Sequence, residues 1–236
     1  MGIPHNLAMT ELEIAGCPRL PEHLAWMGCR FGPEGIVGLP EELPPGSLLI
    51  LDDQVSMGAL PIPEVTVSLA RALERLACRG LVLDFQRPGV EAQRALAASL
   101  PGQLPCPVAA PPEYAAKDCA LFLPPVPAEE SIEGYLAPWS GREIWLDTTP
   151  AERTLRLTPA GCAAADASLP DWSDGFYDDA LCCVYRIQET DDGFLFRLSR
   201  NRRCTQALLE RGAKLGVTLA VGLWQEFGGC CKIATP

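Results

Sequence analysis

The stretch Cys78-Arg79-Gly80-Leu81-Val82-Leu83-Asp84-Phe85-Gln86-Arg87-Pro88-Gly89 decides the fold. The run 65–77 before it puts Leu69, Leu73 and Leu76 on one side and Arg71, Glu74 and Arg75 on the other, which predicts a helix. An apolar strand follows and ends on the carboxylate of Asp84, with the amide of Gln86 two residues on. Strand residues two apart share a face, so Asp84 and Gln86 are expected to project together at the strand's carboxyl end. In α/β proteins that is where sites are built. An amide beside a carboxylate can orient a ligand, but it lacks the proton that a carboxylate pair would supply.

Working outward, the same punctuation recurs. Residues 47–54 read as a buried strand ending in Asp52-Asp53-Gln54, and a helix is expected over 90–100. Strands follow at 106–110, before Glu113-Tyr114, and at 119–123, closed by Pro124-Pro125. A short helix over 131–138 leads to a strand over 143–146 that ends at Asp147. This βα rhythm predicts parallel strands with right-handed crossovers. So many in 236 residues favour a closed barrel, an irregular (β/α) TIM-like barrel expected to occupy 1–236 as one domain.

The rhythm breaks at Thr148. A short strand at 154–157 and a small, polar stretch at 160–171 precede two strands, 182–188 and 194–199. These flank Glu189-Thr190-Asp191-Asp192-Gly193, which reads as a hairpin turn. The segment from about 148 to 200 is therefore expected as an insertion before the last helix (205–214), stopped by Gly216, and the last strand (217–224). The first forty residues are the least regular, with strands expected at 12–15 and 24–29 between Pro and Gly, so the first third of the barrel is expected to be degraded.

Composition narrows the partners. A net charge of −11 and a pI near 4.7 disfavour nucleic acid and anionic membranes. No run approaches the ~20 apolar residues of a membrane span, and Met1–Thr10 lacks the basic-then-apolar pattern of a signal peptide, so a cytoplasmic location is expected. The eleven cysteines are odd in number and show no C-x-x-C spacing. Adjacent pairs at Cys182-Cys183 and Cys230-Cys231 suit neither ordinary disulfides nor zinc, so buried reduced thiols are expected, Cys78, Cys106, Cys119 and Cys162 among them. The tail pair beside Lys232 would be reactive if exposed. Two histidines, His5 and His23, make a zinc site or a His-dependent triad unexpected. No Gly-rich phosphate loop follows a strand, and Gly228-Gly229 precedes no helix, so no cofactor is expected.

Candidate site residues are those at strand ends. Asp84 and Gln86 share a face. Trp224 closes the last strand and offers an apolar platform with an edge donor. Tyr114 follows another strand, and Glu226, two beyond Trp224, is expected to share its face. Asp52 and Asp53 are adjacent, so one is expected to point in and the other out. For Asp84 the alternative is a solvated strand end, and for Trp224 a core role.

The C-terminal third (strand, Asp-Asp-Gly turn, strand, helix with Leu208 and Lys214, then Leu215 to Glu226) resembles the end of the glycoside hydrolase family 18 barrel. Its nearest likeness is to the spore-cortex and chitinase-like branch, whose eighth strand ends on a Trp that floors the sugar subsite. The stretch 79–88 resembles that family's fourth strand, D-G-x-D-x-D-x-E: Gly80, Asp84, Phe85 and Pro88 match. The first two acidic positions fall on Arg79 and Val82, the catalytic Glu on Gln86 and the second aromatic on Arg87. Asp52-Asp53 replaces the family's small-residue stretch after the third strand, and Leu121-Phe122-Leu123-Pro124 is the nearest match to the sixth-strand Met-x-Tyr-Asp.

The family's chemistry is substrate-assisted, with the protein supplying the general acid and aligning the acetamido group. A positioned general acid contributes roughly 10²–10⁴ in rate. The resemblance therefore implies a pseudoenzyme: a barrel that binds carbohydrate, an oligosaccharide, through Asp84, Gln86, Trp224 and Tyr114 without hydrolysing it. The alternatives are an active glycosidase with a relocated acid (Asp84, Glu226 or Asp52) and a scaffold with no small ligand.

Overall fold

The computed structural model describes residues 2–32, 35–54, 61–165 and 175–227. Gly228-Gly229, Cys230-Cys231 and the end of the polar stretch expected at 160–171 lie outside them. In chain order the strands are β1 (His5–Met9), β2 (Leu24–Gly32), β3 (Gly35–Val37), β4 (Leu48–Asp52), β5 (Gly80–Asp84), β6 (Val108–Ala110) and β7 (Ala120–Leu123). They continue as β8 (Ile144–Asp147), β9 (Glu152–Thr158), β10 (Gly161–Ala164), β11 (Phe176–Asp178), β12 (Cys183–Thr190), β13 (Gly193–Ser199) and β14 (Val217–Leu223). The helices are α1 (Glu11–Gly16), α2 (Ile62–Arg75), α3 (Glu91–Ser99), α4 (Ile132–Leu136), α5 (Arg202–Gly212) and α6 (Trp224–Phe227).

The chain divides into two compact units. One comprises residues 4–124, 142–147 and 218–236. It holds eight parallel strands in the order β1-β14-β8-β7-β6-β5-β4-β2, closed by pairing of β1 with β2. The expected parallel set of β4, β5 and β14 is thus present, as the third, fourth and eighth barrel strands. A closed parallel barrel buries both faces of each strand, which is why β4 and β5 read as unbroken apolar runs rather than alternating ones. Leu48, Ile50, Val82, Ala109, Ala120, Trp145, Leu219 and Val221 fill the lumen. Leu49, Leu51, Leu81 and Leu83 point the other way and pack against Val65, Leu69 and Leu73 of α2 and Leu96 of α3.

Gly80 is dictated by the lumen. A Cβ there would fall 2.5 Å from Cη2 of Trp145, whose indole occupies the amino-terminal floor of the barrel and donates to Glu143 Oε1 at 3.0 Å.

The first third is not degraded as expected, since β1 and β2 are both in the barrel. The helices are what is reduced: α1 is six residues long, and β2 connects to β4 through β3 and a segment with no helix. The strand expected at 12–15 is α1 instead. Thr10 accepts from the Glu13 backbone N–H and Glu13 reaches back to the Thr10 N–H at 2.7 Å, a capping box that the T-x-x-E spacing announces.

The other unit comprises residues 1–3, 125–141 and 148–217. It is built on an antiparallel sheet in the order β10-β9-β13-β12-β11, with α4 and α5. The expected hairpin is β12–β13, joined by Asp191-Asp192. Gly193 is required less by the turn than by β9, because a Cβ would meet the Leu157 carbonyl oxygen at 2.0 Å. Arg200, 4% exposed, donates to the carbonyls of Val126, Glu130 and Leu181 and so ties 126–130 to the sheet's last strand. Gly216, at φ 100°, turns the chain from α5 into β14.

Among the described residues the cysteines are free. Cys29, Cys119, Cys182, Cys183 and Cys204 are buried, whereas Cys162, expected in apolar surroundings, is exposed on the edge strand β10. No helix among the described residues is long and apolar enough to cross a membrane.

Candidate functional site

Register places the site. Asp52 and Asp84 are direct partners at the carboxyl ends of β4 and β5, and both continue the lumen-facing phase of Leu48, Ile50 and Val82. Phe122 pairs with Trp145 across β7 and β8, so Asp147, two residues beyond Trp145, completes a third lumen-facing carboxylate at the same end. Met27, Phe122 and Leu223 are the partly buried apolar residues of the lumen.

Burial holds the Asp84 carboxyl above the ordinary carboxylate range. The nearby charges of Asp147, Asp52 and Asp53 push the same way, and the Gln86 amide opposes them. Gln86 is exposed, and its Nε2 lies 3.4 Å from each Asp84 oxygen, so the two residues do meet as their spacing predicted.

What fixes Gln86 is a buried brace. Asp53, 2% exposed, is the outward member of its pair. Its Oδ1 accepts the Gln86 backbone N–H (3.1 Å), and its Oδ2 accepts the Arg87 N–H (3.0 Å) and Gln93 Nε2 (3.0 Å). A buried carboxylate needs such donors, and here they are the backbone of the loop that carries the candidate residue. Tyr114 completes the brace. Its hydroxyl donates to the Arg87 carbonyl and accepts the Val90 N–H at 3.2 Å, and its ring meets Phe85 edge-on at 5.6 Å. Glu113 Oε1 accepts the Gly89 N–H at 2.7 Å. Tyr114 is 3% exposed, which corrects its expected place in a ligand site: it positions the loop and has almost no surface to offer.

Asp52 faces the lumen end, with Oδ1 accepting the Gln54 N–H at 3.0 Å. Trp224 is partly buried and lies one residue past the strand, beyond lumen-facing Leu223. The alternation that would put Glu226 on Trp224's face stops there, because Trp224–Phe227 is helical and residues two apart on a helix diverge. Glu226 is exposed, and its neighbour Gln225 donates to Glu13 Oε1 at 3.0 Å. In the strand order β14 stands opposite β5, so a ligand touching both Gln86 and Trp224 must span the mouth.

Asp53, Gln93 and Glu113 as loop supports, and Asp147 as a mouth residue, were not singled out from the sequence. Asp147 carried a readable signal, since β4, β5 and β8 all end in the dipeptide Leu-Asp. The brace carried none, because it joins residues up to 40 positions apart. Among the described residues no group of three or more His, Cys, Asp or Glu side chains could hold a metal ion. The mouth can accept hydrogen bonds through three carboxylates and the Gln86 carbonyl, and it can donate through the Gln86 amide.

No protein-family model and no curated protein matches the sequence. Solved structures do. The chitinase ChiW from Paenibacillus sp. str. FPU-7 aligns over 95% of this chain and 42% of its own at 9% identity, with a TM-score of 0.61. A family 18 chitinase from Cycas revoluta aligns over 94% of both chains at 12% identity, with a TM-score of 0.55. The spore cortex-lytic enzyme SleL of Bacillus megaterium QM B1551 aligns over 94% of this chain and 70% of its own at 11% identity, with a TM-score of 0.52. The fold is therefore a TIM-like barrel of the glycoside hydrolase family 18 type, with an added antiparallel sheet.

Proposed function

We propose that this barrel binds a neutral oligosaccharide at its carboxyl-end mouth without cleaving it. The observation that carries the reading is Gln86. It stands at the end of the fourth barrel strand, in contact with Asp84, where the family pattern has its general acid. An amide keeps the hydrogen-bonding reach of Glu but has no proton to give at neutral pH. Three carboxylates at the mouth disfavour an anionic ligand and suit one rich in hydroxyl and N–H donors. Trp224 and Phe122 are the aromatic groups nearest the strand ends that could meet the apolar faces of sugar rings. A doubly substituted form of the Cycas revoluta chitinase was solved with (GlcNAc)4, which makes N-acetylated oligomers the first ligands to try.

The test is calorimetric titration with (GlcNAc)2 to (GlcNAc)6 alongside a fluorogenic hydrolysis assay. Binding without turnover, weakened about tenfold or more by Trp224→Ala or Asp84→Ala, is expected. An absence of binding would leave the scaffold reading.

A second reading is favoured by one observation, the raised pKa of Asp84 between two other mouth carboxylates. That is the environment of a working acid, and it suits an active glycosidase with the proton donor moved from position 86 to Asp84 and Asp52 as its partner. Turnover abolished by Asp84→Asn or Asp52→Asn would establish it in place of the first.

A further inference from the structure

We propose that the outer face of α2 is a contact between two copies of this chain, packed antiparallel about a twofold axis between Val67 and Ser68. The β2-to-β4 connection has no helix among the described residues, so α2 packs on α3 at one flank and meets β3 and the segment after it at the other. The result is a surface groove of about 680 Å³ whose lining includes Leu39, Pro63, Glu64, Val67, Ser68 and Arg71. The α2 residues among them form a stripe along the helix. Val67, 49% exposed, lies at its centre.

The charges on this stripe point to a second copy rather than to solvent. Glu64 and Arg71 are exposed, and neither makes an ion pair or hydrogen bond within the described residues. Arg75, by contrast, is engaged by the carbonyls of Pro40 and Glu41. At a rise of about 1.5 Å per residue, two full turns separate Glu64 from Arg71, too far for them to pair with each other. Both are equidistant from the point between Val67 and Ser68. In an antiparallel twofold pairing centred there, Glu64 of each copy meets Arg71 of the other, and Val67 of each meets Ser68 of the other. The small Ser68 at the crossing point allows the close approach that helix packing needs. A pairing of one helix with its copy falls below the ~1,200 Å² of a standard interface, so the dimer is a weak one, with a Kd on the order of tens of micromolar.

The experiment is sedimentation equilibrium of the full chain from about 1 to 500 μM, at low and high salt. Wild type is expected to pass from monomer to dimer over this range, less readily in high salt. Arg71→Glu and Glu64→Arg should each weaken association by about tenfold or more, because every substitution acts twice in a twofold contact. Combining Glu64→Arg with Arg71→Glu should restore dimerisation to near the wild-type level. Val67→Asp should abolish it. All three substituted positions are exposed, and unchanged circular dichroism and Tm would confirm that folding is intact. A wild-type chain that stays monomeric throughout, an Arg71→Glu variant that dimerises as wild type does, or a double variant no better than the single ones would each overturn the proposal.

Discussion

Asp84 is the residue on which the site turns, and its electrostatics run against folding. Burial and neighbouring carboxylates raise its pKa in the folded state, so the native protein holds that proton more tightly than the unfolded chain does. The associated stability is complete below the unfolded value and is lost as pH rises through the folded one. Above that window Asp84 therefore opposes folding. Asp84→Asn should raise Tm near pH 7 and give no advantage near pH 4, as measured by thermal unfolding across that range. Gln86→Ala should push the Asp84 pKa higher, because the amide is what lowers it, and Asp147→Asn should bring it down; carbon-detected NMR titration of the carboxyl reads both. Asp53 supports the fold through its hydrogen bonds. Asp53→Ala would leave three donors, one buried and two partly buried, without that acceptor, at up to roughly 1–3 kcal/mol each before any relaxation. A loss of at least ~3 kcal/mol in urea unfolding is expected, most of it recovered by retaining one acceptor in Asp53→Asn.

Elements differ in how openly the sequence declares them. Strands β4, β5 and β8 were readable because burial on both faces demands unbroken apolar runs, and each ends on an aspartate. β1 was not. Its lumen-facing residues are Asn6 and Ala8, and Asn6 is held at 0% exposure chiefly by partners far away in sequence, the Ala220 carbonyl at 3.1 Å and Arg79 Nη2 at 2.5 Å. The helix α1 was announced by its capping box but obscured by its lack of any buried residue. The register of the loop after β5 could not be read either, since Asp53 looks in sequence like a twin of Asp52. Gly80 and Trp145 belong to this scale too. Trp145→Ala should cost about 3–5 kcal/mol, and Gly80→Ala about 1–3 kcal/mol through overpacking. Together they should cost less than the sum, because the methyl enters space the indole leaves, and a double-mutant cycle by chemical denaturation would show the coupling.

At the scale of the whole molecule, the barrel reached through the sequence is present, while the second unit was foreseen only as an irregular insertion. The unit draws on 125–141 as well as on residues after 148, so its extent is set by three-dimensional contacts. The cysteines report on the integrity of both units. Burial pushes the thiols of Cys29 and Cys106 up to about 12, and those of Cys78 and Cys183 to about 11. These sulfurs remain thiols rather than thiolates across the physiological range and are poor nucleophiles. Brief alkylation at pH 8 of the folded protein should modify Cys162 and spare Cys29 and Cys183, with urea exposing them, as peptide mass spectrometry would map. Rapid labelling of Cys29 or Cys183 in the native state would mean that the unit containing it opens readily.

The grip of Asp53 on the amide nitrogens of Gln86 and Arg87 has a genetic corollary. Main-chain atoms are what it holds, so the position is maintained whichever side chain residue 86 presents. Glutamine and glutamate codons differ by a single base, and the two side chains differ by one atom. A barrel braced in this way can pass between amide and acid at its mouth in one mutational step, with no compensating change in the scaffold that aims it.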